Sequence, residues 1–324
     1  MPTPILRPAA PHEAELAADL MTAAFPREPQ DPILTARRWD HPRDGWSHGR
    51  FIANLGDTPV AFVEWSHGSW ALLPERHCWV EVWLDAAHMD EAMLAYLWQW
   101  AEESAAAGGA KTLNAACGED EPEMLRVLGA RGYVHQRTEK VWSLDLAGAG
   151  ERIQSEAEAA RARMVAAGIE LKTLEQWDDP ERFEKLHELN EITRRDIPHT
   201  GPILPNTLQD FMVRVGAPNT PHGRWWLALD GSAPVAMSYL SYPPVRGVVW
   251  TAFTGTHPAY RGRGIARAVK LQSLAQAVEL GIPEVRTDND SENGPMLHIN
   301  ETLGYTTQPG YVSFVKRLPA GALR

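Results

Sequence analysis

Residues 261–264 read Arg-Gly-Arg-Gly, and their types suit the grip of a diphosphate. Gly262 and Gly264 lack a Cβ, so backbone N–H groups can approach an anion closely. Arg261 and Arg263 can fork onto phosphate oxygens. Ahead of them, Val248 to Phe253 is an apolar run that predicts a buried strand. Behind them, Ile265, Ala268, Val269, Gln272, Ala275 and Gln276 fall at helical spacing, predicting a helix over 265–280. The glycines then sit at a helix start, where the macrodipole attracts anions. By itself the stretch reads equally well as a surface loop with two solvated arginines.

A second stretch, Thr287 to Tyr305, decides between these readings. Together the two resemble the GNAT superfamily of acyl-CoA-dependent N-acetyltransferases. Arg261, Gly264 and Ala266 match that family's pyrophosphate loop. Asn293, Met296, Leu297, Leu303, Gly304 and Tyr305 match its later helix, which ends in Leu-Gly-aromatic. The resemblance spans roughly Ile169 to Leu318 and is to the tandem, mycothiol-synthase-like type. It implies acetyl-CoA as acyl donor, held by Arg261, Gly262, Arg263, Gly264, Ile265 and Ala266. It also implies a pantetheine arm between splayed central and fifth strands, along Thr254 to Thr256. The Thr256 N–H is then the expected donor to the thioester carbonyl. Asn289 and Asn293 follow the fifth strand; the resemblance places Asn293 near pantetheine or phosphate, and an Asx turn or helix cap fits it equally.

Attack of an amine on a thioester needs a fixed donor, a neutral amine, a stabilised oxyanion and protonation of the leaving thiolate. Here the chain departs from the family. Asn300 stands where many members carry a tyrosine proposed to protonate the thiolate; an amide donates a hydrogen bond but is no general acid. Trp250 stands where some members carry a glutamate base. Tyr305, Tyr311 or water are the substitutes for the acid. His257, Asp196, Asp288 and Glu292 are the candidates for the base, the last two reading more simply as turn residues. Asp196 also opens a proline-rich loop to Pro205, the candidate for substrate recognition. Lys270 could meet a phosphate, but reads by default as solvated.

The chain of 324 residues repeats itself. Gly132-Tyr133 recurs as Gly304-Tyr305, 172 residues on (304 − 132), and Met124-Leu125 recurs as Met296-Leu297 at the same distance. Two tandem α/β (α+β) units explain this, each a mixed, mostly antiparallel sheet flanked by helices and closed by a hairpin. The expected divisions are 1–148, a linker helix at 149–168 (its Ala- and Glu-rich part from Glu151), and 169–324. Shifted by 172, the first unit has Met89, Asp90, Glu91 and Ala92 opposite Arg261 to Gly264. Acidic residues at a helix start cap it and repel a diphosphate. The first unit is therefore expected to be blank, surviving as structure or as a wall of the substrate pocket.

A net charge of −11 argues against nucleic-acid or anionic-membrane partners. Two cysteines without metal spacing predict free thiols in a reducing compartment. No secretory leader or membrane span is legible, so the expected location is cytoplasmic. The reading is an enzyme transferring acetyl from acetyl-CoA to a primary amine of a small molecule, by direct attack in a ternary complex, as monomer or homodimer. The alternative is a non-catalytic acyl-CoA sensor or scaffold.

Overall fold

The structure, a computed structural model, describes residues 3–198 and 203–319. The first half runs β1 (Ile5–Pro8), α1 (Ala14–Ala24), α2 (Pro32–Asp40), β2 (Ser47–Leu55), β3 (Thr58–His67), β4 (His77–Leu84), α3 (Glu91–Ala107), β5 (Thr112–Gly118), α4 (Pro122–Ala130) and β6 (Val134–Asp145). After α5 (Leu146–Ala166) the order recurs: β7 (Glu170–Thr173), α6 (Arg182–Arg194), α7 (Leu208–Val215), β8 (Trp225–Asp230), β9 (Ala233–Ser241), β10 (Val249–Thr256), α8 (Ile265–Glu279), β11 (Glu284–Asp290), α9 (Gly294–Leu303) and β12 (Thr306–Arg317). The mixed α/β architecture with a largely antiparallel sheet is the one expected.

The two halves share a single 12-stranded sheet, ordered β1-β2-β3-β4-β5-β12-β6-β11-β10-β9-β8-β7. The closing hairpins expected for each unit do not form. The last strands are exchanged instead: β12 pairs with β5 of the first half, β6 pairs with β11 of the second, and β6 and β12 pair with each other. Side-chain burial explains the exchange. Phe314 of β12 packs into the first half's core, while Trp142 and Leu144 of β6 pack into the second's.

Helix α5 starts at Leu146, ahead of the Glu151 start read from composition. Asp145 caps it, accepting from the Gly148 N–H at 3.1 Å. The Ala-Gly-Ala-Gly run inside it resembles a loop in sequence but serves close packing. A Cβ on Gly150 would sit 3.1 Å from Val278 of α8. Ile153, Ala157, Ala160 and Met164 of α5 join Ala268, Leu271 and Leu274 of α8 in one buried cluster. The connector is thus part of the core that holds α8, and α8 in turn sets the Arg-Gly-Arg-Gly turn.

Candidate functional site: a cleft at the start of α8

Strands β10 and β11 run parallel and pair only at Val249–Val285 and Trp250–Arg286. Beyond that they diverge, and a shift of register between Thr251 and Phe253 marks the bend. The direction of the β10 amides follows from one bond: the His257 N–H donates to the Val235 carbonyl of β9 at 2.8 Å. By strand alternation the N–H groups of Thr254 and Thr256 therefore face away from β9, into the gap. The Thr256 carbonyl lies on that same side, accepting from Arg261 Nε at 3.2 Å.

The gap opens into a cleft of about 1000 Å³ lined by Thr254, Thr256, Arg261, Gly262, Gly264, Ile265, Ala266 and Asn293, among others. Gly262 and Gly264 have φ of 74° and 76°, the left-handed region that favours glycine, and a Cβ at either would meet open space. Gly264 is the N-cap of α8, and no side chain among the described residues caps that helix. Its first-turn N–H groups are left for an outside partner. Arg261 binds the Asp196 carboxylate, and Arg263 lies 5.3 Å from the Tyr260 ring. Thr256 is 9% exposed and its hydroxyl has no partner among the described residues.

The other residues singled out in the sequence fall in three places. Asn293 lines the cleft and makes no side-chain cap bond to α9, although it is the N-cap. Asn289 lines the narrow gap between β10 and β11. Asn300, which stands at the place of the family's tyrosine, is fully buried, and its Nδ2 donates to Asn289 Oδ1 at 2.7 Å. His257 serves a turn: its Nδ1 accepts from the Ala259 N–H at 3.3 Å. Asp196 is occupied by Arg261 at the rim of the cleft. Its loop continues through 199–202, which lie outside the described residues. Tyr311 lies on the exchanged strand β12, donates to Glu28, and is held far above the usual phenol range by burial and by that carboxylate. Tyr305 is buried behind the site.

Lys270 is the largest departure from expectation. It is 0% exposed rather than solvated. Its Nζ donates to Asn300 Oδ1 at 2.7 Å, and Asn300 Nδ2 donates to Asn289 Oδ1 at 2.7 Å. Burial lowers its pKa from 10.5 to about 7, opposed by the charge of Asp288.

A second cavity, of about 660 Å³, lies between the halves. It occupies the divergence of β4 and β5, which pair only from His77–Thr112 to Trp79–Asn114. Its walls carry Phe25, Trp79, Trp83 and Trp250, with Glu28, Glu81, Glu121, Glu139, Asp288 and Tyr311. Each of the five carboxyls is pushed above its ordinary range, chiefly by burial. Glu81 and Asp288 keep accessible surface because they face the cavity, with protein packed around their other sides. Asp288 and Glu139 also line the gap between β10 and β11, and Pro198 lines the gap, the cavity and the cleft at the start of α8. Asp288 is thus a strand residue of β11, not a turn residue. Glu139 was missed in the sequence because it belongs to the other half and arrives through the exchanged strand β6.

The first half has no open helix start at the matching place. The Asp90 side chain caps α3, accepting from the Met93 N–H at 2.9 Å. Helix starts align Asp90 with Gly264, whereas the 172-residue shift aligned Ala92 with it. The turn entering α8 (257–264) is two residues longer than the one entering α3 (85–90).

The acetyltransferase (GNAT) family model matches residues 175–305. No curated protein sequence matches the chain. Among solved structures, a tandem GNAT protein from the clavulanic acid biosynthesis pathway is similar over 98% of this chain and 99% of its own, with a TM-score of 0.75 at 17% identity. A GCN5-related N-acetyltransferase from Sphaerobacter thermophilus is similar over 99% and 98%, with a TM-score of 0.67 at 18% identity. Residues 175–305 therefore form a domain of the GNAT acetyltransferase family, and the chain as a whole has the tandem GNAT fold.

Proposed function

We propose that the chain transfers the acetyl group of acetyl-CoA to a primary amine of a small cationic molecule, at the C-terminal half, by direct attack in a ternary complex. The observation that carries this is continuity. The cleft and the β10–β11 gap share Thr254, Asn293 and Met296, the gap and the acidic, aromatic-walled cavity share Glu139 and Asp288, and Pro198 is common to all three.

In this reading the diphosphate rests on the uncapped start of α8 and on Arg261 and Arg263. The pantetheine arm follows the open edge of β10. The Thr256 N–H, or that of Thr254, meets the thioester oxygen as charge develops on it. The acceptor enters through the first half's cavity, so the blank copy supplies the acceptor wall. Aromatic faces and carboxylates there suit an ammonium group with an apolar body. Glu139 and Asp288 stand where that cavity meets the gap, and their raised pKa values bring them nearer the range useful for taking a proton from the amine. The new C–N bond forms as the C–S bond breaks, and the electron pair leaves with sulfur.

The test is thiol release from acetyl-CoA with a panel of alkyl monoamines, diamines and amino acids. Saturable release with a cationic amine is expected, weakest for acceptors bearing a carboxylate. Tight acetyl-CoA binding with no amine accelerating release would instead support the non-catalytic sensor.

A further inference from the structure

The leaving sulfur needs stabilisation, and the buried interior behind the β10–β11 gap offers it. We propose that Lys270 is a positioning residue for the leaving thiolate, acting through Asn300 and Asn289 to present a polarised N–H donor to the sulfur of coenzyme A. This rests on the donor site proposed above.

The geometry is a chain of three side chains in one direction. Lys270 Nζ donates to Asn300 Oδ1, and Asn300 Nδ2 donates to Asn289 Oδ1, both at 2.7 Å. Lys270 and Asn300 are each 0% exposed, while Asn289 lines the gap. With its oxygen committed to Asn300, Asn289 has its amide N–H groups left to offer. A donor at the far end, an ammonium below about pH 7 and a neutral amine N–H above it, polarises both amides in the same sense, strengthening the terminal donor. Asn300 thereby has a use at the place where the resemblance expects a tyrosine: it passes on hydrogen-bond polarisation rather than a proton.

A lysine is a costly choice for this interior. An ammonium without water must be repaid by partners. Among the described residues those acting on Lys270 are the Asn300 oxygen, the Tyr305 ring 4.8 Å away and, across β11, the charge of Asp288. Methionine or leucine would fill the same space without that cost.

The bond changes balance without moving a proton along the amides. Attack by the amine forms C–N, collapse breaks C–S, and sulfur departs as thiolate with the bonding pair. A carboxylate on the acceptor side takes the amine proton. The thiolate, stabilised by the Asn289 N–H, takes its proton from water on release.

The test needs no acceptor. Free reduced coenzyme A is bound to the full chain, and its thiol is titrated by the ultraviolet absorbance of the thiolate. In the wild type the bound thiol is expected to titrate about half a pH unit below free coenzyme A, roughly a threefold stabilisation of the thiolate, because Lys270 is neutral in that range and acts through its hydrogen bond alone. Lys270→Met should abolish that shift while leaving coenzyme A affinity within about threefold. Asn289→Leu, at the gap end of the chain, provides the same reading should Lys270→Met not fold. An unshifted thiol in the wild type, or a shift that survives these variants, would overturn the relay. Failure of coenzyme A to bind at all would instead count against the donor site itself.

Discussion

The Asp90 carboxylate accepts from the Met93 N–H at 2.9 Å, closing in the first half the helix end that Gly264 leaves open in the second. The two residues stand at the same step of a repeated strand–turn–helix. One supplies its own anion. The other has φ of 76° and no side chain, and leaves room for a foreign one. On this contrast rests the assignment of the donor to the C-terminal half.

Removing the self-made cap should cost stability and nothing else. Asp90→Ala is expected to lower unfolding free energy by about 1 kcal/mol. Denaturant unfolding measures this, and affinity for coenzyme A should not change.

Lys270 predicts an unusual pH dependence of stability. Its folded pKa, about 7, lies below the ordinary 10.5, so between these values the unfolded chain holds a proton that the folded chain does not. Its contribution to stability therefore rises with pH across that window, by about 1.4 kcal/mol per pH unit. The penalty is fully present below about pH 7 and gone above about 10.5. Lys270→Met removes it but orphans the Asn300 oxygen, leaving a net gain of about 2 kcal/mol at pH 7. Unfolding at pH 7 and pH 10 should show that advantage shrinking as pH rises.

The carboxyls of the acidic cavity behave in the opposite sense. Glu81 is raised by burial, so the folded state holds its proton more firmly than the unfolded chain does. That contribution is present at low pH and is lost as pH rises from about 4.5 through the raised folded value. Glu81→Gln should be neutral or stabilising near pH 7, yet raise KM for a cationic acceptor by about tenfold, with KM for acetyl-CoA unchanged. Glu139→Gln should lower kcat by about a hundredfold, as expected for loss of a general base.

The strand exchange forbids a clean cut between the halves. A chain beginning at residue 149 lacks β6, leaving the outer edges of β11 and β12 unpaired and the contributions of Trp142 and Leu144 missing from the second core. Expressed alone, it is expected to aggregate or to bind coenzyme A weakly. Co-expression with residues 1–148 should restore a soluble complex.

Much of the cleft at the start of α8 was legible because it is local. The glycines, the arginines and the strand and helix around them lie within one continuous stretch, and Gly264 caps α8 as its spacing predicts. The acidic cavity between the halves was not legible, because it is assembled across the pseudo-symmetric junction. Glu139 meets Asp288 and Asp290 through β6–β11 pairing, which no local pattern encodes. Lys270 was misread for a related reason: a lysine in an amphipathic helix reads as solvated, and its buried partners arrive from α9 and β11. The two extra residues in the turn before α8 also escaped a rigid 172-residue shift.

The most direct measurement is calorimetric titration of coenzyme A into the wild type, Gly264→Asp and Asp90→Ala. Asp tolerates the left-handed backbone and, like Asp90, would cap its own helix, so the fold should survive. The account predicts one site per chain, lost or weakened at least about a hundredfold, close to 3 kcal/mol, in Gly264→Asp and unchanged in Asp90→Ala. Wild-type affinity in Gly264→Asp, or loss of binding in Asp90→Ala, would contradict it.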